Sequence, residues 1–196
     1  VNAKVNFGYA KENYKIFNKN IEKNEKHITE VYKMISEELG FKSISTTYDI
    51  PIDDISDKEI EKFLKENDAE SFIAVNLFGA KKRTKFTYEK SLELLRFILN
   101  QRGNSKVILL YSPAEKEILE NLVIEINDKN LVYYNKSKTI FDSISIIKRA
   151  ELVISPDTSI VHIAEGLNKR IRTFYTSSDN DFAKWKIRDG NNQVIR

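Results

Sequence analysis

Four polar groups with defined chemistry fall within a short stretch of this chain: Asp157, Thr158, Ser159 and, one helical turn beyond Thr158, His162. Ahead of them Leu152, Val153 and Ile154 form the compact apolar run of a parallel strand covered on both faces. Asp157, after Pro156, is a good N-cap residue, so the spacing predicts a helix opening at Thr158. On that helix Ile160, Ile163, Ala164 and Leu167 recur at i, i+3, i+4, i+7 and make the core face, while Thr158 and His162 point the other way. A strand end that delivers Asp, Thr, Ser and His to a helix start offers an anion the unpaired backbone N–H groups and the positive end of the helix dipole. That is the outline of a phosphate site. The same residues also suit plain helix capping, with His162 as a boundary histidine.

A second stretch, residues 79–85, complements the first. Gly79 allows the backbone close to a ligand, and Lys81, Lys82, Arg83 and Lys85 supply the positive charge that a diphosphate wants. No Walker or G-x-G-x-x-G pattern accompanies it, and a solvated basic loop is the alternative. No His, Asp and Glu residues stand at metal-ligand spacing.

Alternating strands and helices must position these residues. Residues 72–78 read as a strand broken at Gly79, Thr87 opens a helix, and further strands follow at 107–111 and 131–134. A helix covers 114–126, and Thr139 with Asp142 three residues on resembles a capping box for the next helix. The strand at 152–155, the helix after it and a fifth strand at 171–175 complete the series. Five apolar strands alternating with four helices give an α/β fold, a doubly wound parallel Rossmann-like sheet, in which ligands bind outside the carboxyl ends of the strands.

The flanks read differently. Residues 4–9 and 14–17 alternate apolar with polar as half-buried strands do. A helix over 27–39 carries Ile28, Val31, Ile35 and Leu39 on one stripe, Tyr32 beside it, and His27 exposed at its start. The acidic, Pro-containing residues 49–57 form the expected linker, ahead of a short helix with Ile60, Phe63 and Leu64 on one side. These readings divide the chain into residues 1–57, 58–175 and a polar tail from 176 that holds the only tryptophan, Trp185.

Composition bounds the function. The 196 residues are 41% apolar and 31% charged, enough for a sizeable core, and a net charge of +3 is too small to argue for nucleic acid. The absence of cysteine excludes disulfides and thiolate metal sites and fits a reducing compartment. No apolar run approaches the length of about 18 residues needed to span a bilayer. The chain begins with Val and its only methionine is Met34, so we expect a piece of a longer protein.

The run Asp157-Thr158-Ser159-Ile160-Val161-His162-Ile163-Ala164-Glu165-Gly166-Leu167-Asn168-Lys169-Arg170 resembles the D-T-G-x-x-H-x-A-x-x-L-G-K-P signature of glycosyltransferase family 9, the heptosyltransferases of lipopolysaccharide core synthesis. It departs from that signature at Ser159, Asn168 and Arg170, where the family has Gly, Gly and Pro. Three further segments are similar to the family in the same order. Lys85 stands where a family lysine contacts the phosphates of the sugar donor. Glu115, with Glu117 as the alternative, stands where an acidic residue reaches the donor ribose. Residues 136–139 resemble a G-K-T-x-L segment near the nucleotide base, which places Thr139 there unless it is simply a helix cap.

The resemblance implies the C-terminal, donor-binding domain of a two-Rossmann-domain (GT-B) glycosyltransferase, preceded by the end of the N-terminal domain. It further implies an inverting transferase without a cofactor or catalytic metal. The donor would be a nucleotide-diphospho-sugar, ADP-heptose in the typical case, and the acceptor a lipid-linked saccharide at the cytoplasmic face of a bacterial inner membrane. Lys85, Asp157, Thr158, Ser159 and His162 would hold the donor, and the general base would belong to the N-terminal domain. Two readings compete: a nucleotide-binding regulatory module without catalysis, and a related transferase with another sugar donor. A third class is an interaction protein whose basic loop meets an acidic partner or anionic lipid.

Overall fold

Long apolar runs without polar alternation demand cover on both faces, and the chain supplies it with helices on each side of one parallel sheet. The computed structural model describes residues 5–9, 16–21, 26–79, 86–175, 179–188 and 193–195. The chain forms two compact units, residues 1–47 with 177–186 and residues 48–176 with 187–196.

In the first unit, β1 (Phe7–Tyr9) and β2 (Lys19–Ile21) pair in parallel, Phe7 opposite Lys19. Residues 14 and 15 of the expected 14–17 segment lie outside the described residues; β2 is set by Asn6, whose N–H donates to Asn18 Oδ1 (2.9 Å) and whose carbonyl accepts from Asn18 N (3.0 Å). Helix α1 (Ile28–Glu38) follows. His27, expected to be exposed, is its buried N-cap: Nδ1 accepts from Thr29 N (3.3 Å) and lies 2.9 Å from Thr29 Oγ1, so the ring folds over the first turn. Tyr32 is exposed.

The second unit carries α2 (Asp54–Glu66), β3 (Phe72–Asn76), α3 (Tyr88–Gln101), β4 (Lys106–Leu110), a 3-10 turn (Pro113–Glu115), α4 (Lys116–Ile126), β5 (Leu131–Tyr133), α5 (Ile140–Arg149), β6 (Leu152–Pro156), α6 (Ser159–Gly166) and β7 (Arg170–Phe174). Helix α2 opens inside the acidic stretch, because Asp53 Oδ2 accepts from Ser56 N (2.8 Å) as its cap. After α7 (Asp179–Trp185), which lies in the first unit, the chain returns to add β8 (Gln193–Ile195). Among the described residues the sheet therefore has six strands, not five, in the order β5-β4-β3-β6-β7-β8, every pair parallel.

Alternate strand residues feed two cores. Ala74, Ile108, Val153 and Ile171 pack with Ile60 and Leu64 of α2, Ile144 and Ile147 of α5, and Val161 and Ala164 of α6. Val75, Val107, Leu109 and Ile154 pack on the opposite face with Leu92 and Leu95 of α3 and Leu119 and Leu122 of α4. The sequence order reverses between β3 and β6: β4 and β5 build outward on one side of β3, and β6, β7 and β8 on the other. That topological switch point is where such sheets open a crevice at the carboxyl ends of the strands.

Candidate functional site

Both strands at the switch point carry a polar residue at or next to their last position, on the α6 side. Asn76 closes β3 after Phe72-Ile73-Ala74-Val75, and Ser155 comes near the end of β6 after Leu152-Val153-Ile154; both are buried. Asn76 Nδ2 donates to Ser155 Oγ (3.0 Å), Thr158 Oγ1 (3.3 Å) and the Phe78 carbonyl (2.9 Å), and its Oδ1 accepts from Phe78 N (3.1 Å). Ser155 Oγ–H donates to the Pro156 carbonyl (2.8 Å), and Ser155 Oγ lies 3.1 Å from Thr158 Oγ1. Ser155 pairs in register with Thr173 of β7, so a buried polar row crosses three central strands at the mouth of the sheet.

Thr158, not Asp157, is the N-cap of α6. Its backbone is extended (φ −147°, ψ 176°) and Oγ1 accepts from Ile160 N (3.3 Å), so the helix begins at Ser159. The Thr158 side chain therefore turns in toward Ser155 and Asn76 instead of away from the core. Asp157 extends the ladder instead, its N–H donating to the Phe174 carbonyl (3.1 Å). Burial pushes the Tyr175 hydroxyl well above its ordinary pKa, and the nearby charge of Asp157 adds to the rise. Ser159, on the first turn of α6, is exposed.

His162, one turn into α6, stands in a cluster the sequence did not announce. Tyr48 Oη lies 3.4 Å from His162 Nδ1, and the two rings are tilted with centroids 5.5 Å apart. Glu165 Oε2 is 4.0 Å from the same nitrogen. Arg188 holds the other carboxylate oxygen through Nε (3.0 Å) and its backbone N–H (3.2 Å), and its guanidinium lies 5.4 Å from the centre of the Tyr48 ring. Burial pushes the Glu165 carboxyl up, but the His162 ring and Arg188 outweigh it and hold the group below its ordinary value. Gly166 is what lets residues 48–50 lie against α6: a Cβ there would come within 2.6 Å of Ile50 Cγ1 and 2.9 Å of Tyr48 Cβ. Asn168 stands at a left-handed position (φ +54°) just after the helix, and Lys169 N donates to the Ala164 carbonyl (2.9 Å), a helix ending that usually takes glycine.

Of the other sequence candidates, those described sit after β4 and β5. Glu115 closes a capping box in which its Oε2 accepts from Ser112 N (3.2 Å) and from the Ser112 hydroxyl, after the end of β4. Thr139 caps α5 in the expected box: Asp142 Oδ2 accepts from Thr139 N (3.0 Å) and Lys138 N (2.8 Å). Glu117 is exposed on the first turn of α4. Lys85 and residues 80–84 lie outside the described residues, but the stem of their loop is described: Phe86 N donates to the Leu77 carbonyl (3.5 Å), and Phe86 meets Phe174 edge-on. Asn76, Ser155, Tyr48, Glu165 and Arg188 were missed. Of these only Asn76 carried a local signal, a polar residue closing an apolar strand shortly before Gly79.

The sequence model of glycosyltransferase family 9 (heptosyltransferase) matches residues 2–195. The chain belongs to glycosyltransferase family 9. The family 9 chain is 26% identical over 151 residues to "Putative lipopolysaccharide heptosyltransferase 4" of Escherichia coli K12, a match that covers 76% of this chain and 39% of that protein. A family 9 glycosyl transferase from Veillonella parvula shares the fold with a TM-score of 0.75 at 17% identity, over 98% of this chain and 57% of that one. E. coli ADP-heptose LPS heptosyltransferase II does so with a TM-score of 0.71 at 13% identity, over 98% of this chain and 62% of that one. An E. coli heptosyltransferase solved with ADP gives a TM-score of 0.63 at 17% identity, over 92% of this chain and 53% of that one. The chain thus spans between 39% and 62% of the length of these relatives. The doubly wound parallel sheet expected from the strand pattern is the one observed, and its neighbours are glycosyltransferases of the two-Rossmann-domain type.

Proposed function

We propose that this chain carries the donor-binding half of an inverting glycosyltransferase that moves a sugar, heptose from ADP-heptose, onto a lipopolysaccharide or lipooligosaccharide core acceptor. The observation that carries the reading is the gathering of Asn76, Ser155 and Thr158 at the switch point, directly beneath the N-terminus of α6. There the diphosphate of the donor would meet the first turn of α6, with the positive end of its dipole and the Ser159 side chain, and His162 one turn further along. Those groups, together with Lys85, would stabilise the departing nucleoside diphosphate, the task a metal performs in other transferases. Glu115 and Thr139, after the ends of β4 and β5, would flank the ribose and base. Support also comes from a structural relative solved with ADP and from one named for ADP-heptose.

The acceptor and the general base fall to the N-terminal domain of the whole enzyme, so this chain alone binds the donor and transfers very little. Among the described residues no helix is long and apolar enough to cross a membrane. The enzyme would work in the cytoplasm and meet its lipid-linked acceptor at the inner membrane face.

A thermal-shift and calorimetric titration with ADP, UDP, GDP and plain diphosphate tests this. ADP at a hundred times its Kd should stabilise the chain by about 2.7 kcal/mol, with His162→Ala and Lys85→Ala each weakening the effect. Equal stabilisation by all three nucleotides, or none by any, would refute an ADP-sugar site.

A further inference from the structure

We infer that Tyr48 is a positioning residue for sugar-donor binding: its hydroxyl keeps the proton of the His162 ring on Nε2, the nitrogen that donates to the diphosphate. The inference rests on the donor-site reading above, which gives His162 to the donor.

The observation behind it is an unsatisfied oxygen. The Glu165 side chain is only 9% exposed. Its Oε1 accepts from Arg188 Nε (3.0 Å) and Arg188 N (3.2 Å), whereas Oε2 is buried and accepts no hydrogen bond among the described residues. A buried carboxylate oxygen in that position draws any proton it can reach. Oε2 lies 4.0 Å from His162 Nδ1, and Tyr48 Oη lies 3.4 Å from the same nitrogen. One ring nitrogen therefore has neighbours of opposite ability: the carboxylate can only accept, and the phenol hydroxyl can donate.

The two neighbours favour different rings. With Tyr48 donating to a bare Nδ1, the neutral ring carries its proton on Nε2. Glu165 alone would draw that proton to Nδ1 and leave Nε2 with a lone pair, which repels a phosphate oxygen. In the charged ring both nitrogens carry protons, so Nδ1–H serves Glu165 and Nε2–H is kept. With Tyr48 present Nε2 is thus a donor in both states; without it, only in the charged one. Arg188 sets the geometry of both neighbours. Its two donors on Oε1 turn Oε2 toward the ring, and its guanidinium lies 5.4 Å from the centre of the Tyr48 ring. All four residues belong to the second unit. Tyr175, whose hydroxyl feels the charges of Asp157 and Glu165, shares these surroundings. Tyr48 touches no reacting atom in this scheme; it acts through His162.

The test reads the ring directly. Two-bond proton–nitrogen NMR on the 15N-labelled 196-residue chain, at an alkaline pH where imidazoles are neutral, reports which nitrogen carries the proton. Calorimetry at the same pH compares ADP with adenosine, which lacks the diphosphate. Wild type should show Nε2–H and prefer ADP. Tyr48→Phe, which keeps the aromatic ring, should show Nδ1–H and lose about 10-fold of that preference, the size of one hydrogen bond to a charged group. Its adenosine affinity should stay within about twofold of wild type. Adding Glu165→Gln to Tyr48→Phe should reverse both changes. The glutamine oxygen has to face the two Arg188 donors, so its NH2 faces Nδ1 and returns the proton to Nε2. A merely structural Tyr48 hydroxyl could not be replaced by an amide at residue 165. Unmoved His27 signals verify the fold of each variant. An Nε2–H ring in Tyr48→Phe, an unchanged ADP-to-adenosine ratio, or a double variant that restores neither overturns the inference and leaves the donor site standing. If wild type shows no preference for ADP, the donor-site reading falls and takes this inference with it.

Discussion

Gly166→Ala sets two effects against each other, and the structure decides between them. Alanine is preferred over glycine in a helix by about 0.5–1 kcal/mol, and Gly166 lies on the last turn of α6, where that gain is smallest. Against it, the new Cβ would stand 2.6 Å and 3.0 Å from Ile50 Cγ1 and Cδ1 and 2.9 Å from Tyr48 Cβ. The Ile50 side chain can rotate away, but the Tyr48 Cβ moves only with its backbone. Overpacking of this kind costs about 1–3 kcal/mol, so the net result is a loss of about 1–2 kcal/mol, or a fall in Tm of about 2–8 °C for a chain of this size. The displaced group is Tyr48, whose hydroxyl and ring face His162. His162 and His27 are the only histidines, so an NMR spectrum of the imidazoles reads the effect directly. The His162 signals should shift while those of His27 stay fixed. A variant with unchanged or raised Tm and an unmoved His162 signal would show that helix propensity wins and that Gly166 is not what seats Tyr48.

Two other perturbations bear on the frame of the site. Asp57 on α2 accepts from Arg149 Nη1 (2.5 Å) and Nη2 (3.0 Å) and from Lys148 Nζ (3.0 Å) on α5. The Arg149 hydrogen bonds hold its carboxyl well below the usual carboxylate range against the opposing effect of burial, with Lys148 adding to them. A depressed folded-state pKa means that the stabilisation is complete above the unfolded value near 4 and is lost as the pH falls below it. Asp57→Asn should therefore cost about 1–3 kcal/mol at pH 7 in urea denaturation, and the gap should close between about pH 5 and pH 2; a gap independent of pH would refute the assignment. At Asn168, where φ is +54°, exchange for glycine should leave stability within about 0.5 kcal/mol, whereas alanine should lower it by about 1 kcal/mol. Equal stability of the alanine and glycine variants would show that the left-handed position carries no strain.

How much of this could be read beforehand follows from the range of the forces involved. The strands at 72–76, 106–110 and 152–156 were legible because sheets covered on both faces write themselves as unbroken apolar runs. The Thr139–Asp142 box was legible because its partners are three residues apart. The cap of α6 was misplaced by one residue because Asp and Thr are both good caps in sequence, and only the inward link of Thr158 to Ser155 separates them. β8 was missed because three exposed residues acquire a strand conformation only when β7 offers them an edge, as when Tyr175 N donates to the Ile195 carbonyl (2.9 Å). Tyr48 lies 114 residues from His162, and Arg188 lies 23 from Glu165. No periodicity encodes such pairings; the fold makes them.

The return of the chain after α7 bears on how such enzymes can be recombined. Residues 187–195 give the sheet its edge strand β8 and give Glu165 its partner Arg188, yet they are separated in sequence from the rest of the second unit by a segment that belongs to the first. A chimera that exchanged the second unit between relatives as one contiguous block ending at residue 176 would leave both behind. The second unit is therefore built from two segments separated in sequence, and any exchange of that unit has to carry the terminal strand along with the block.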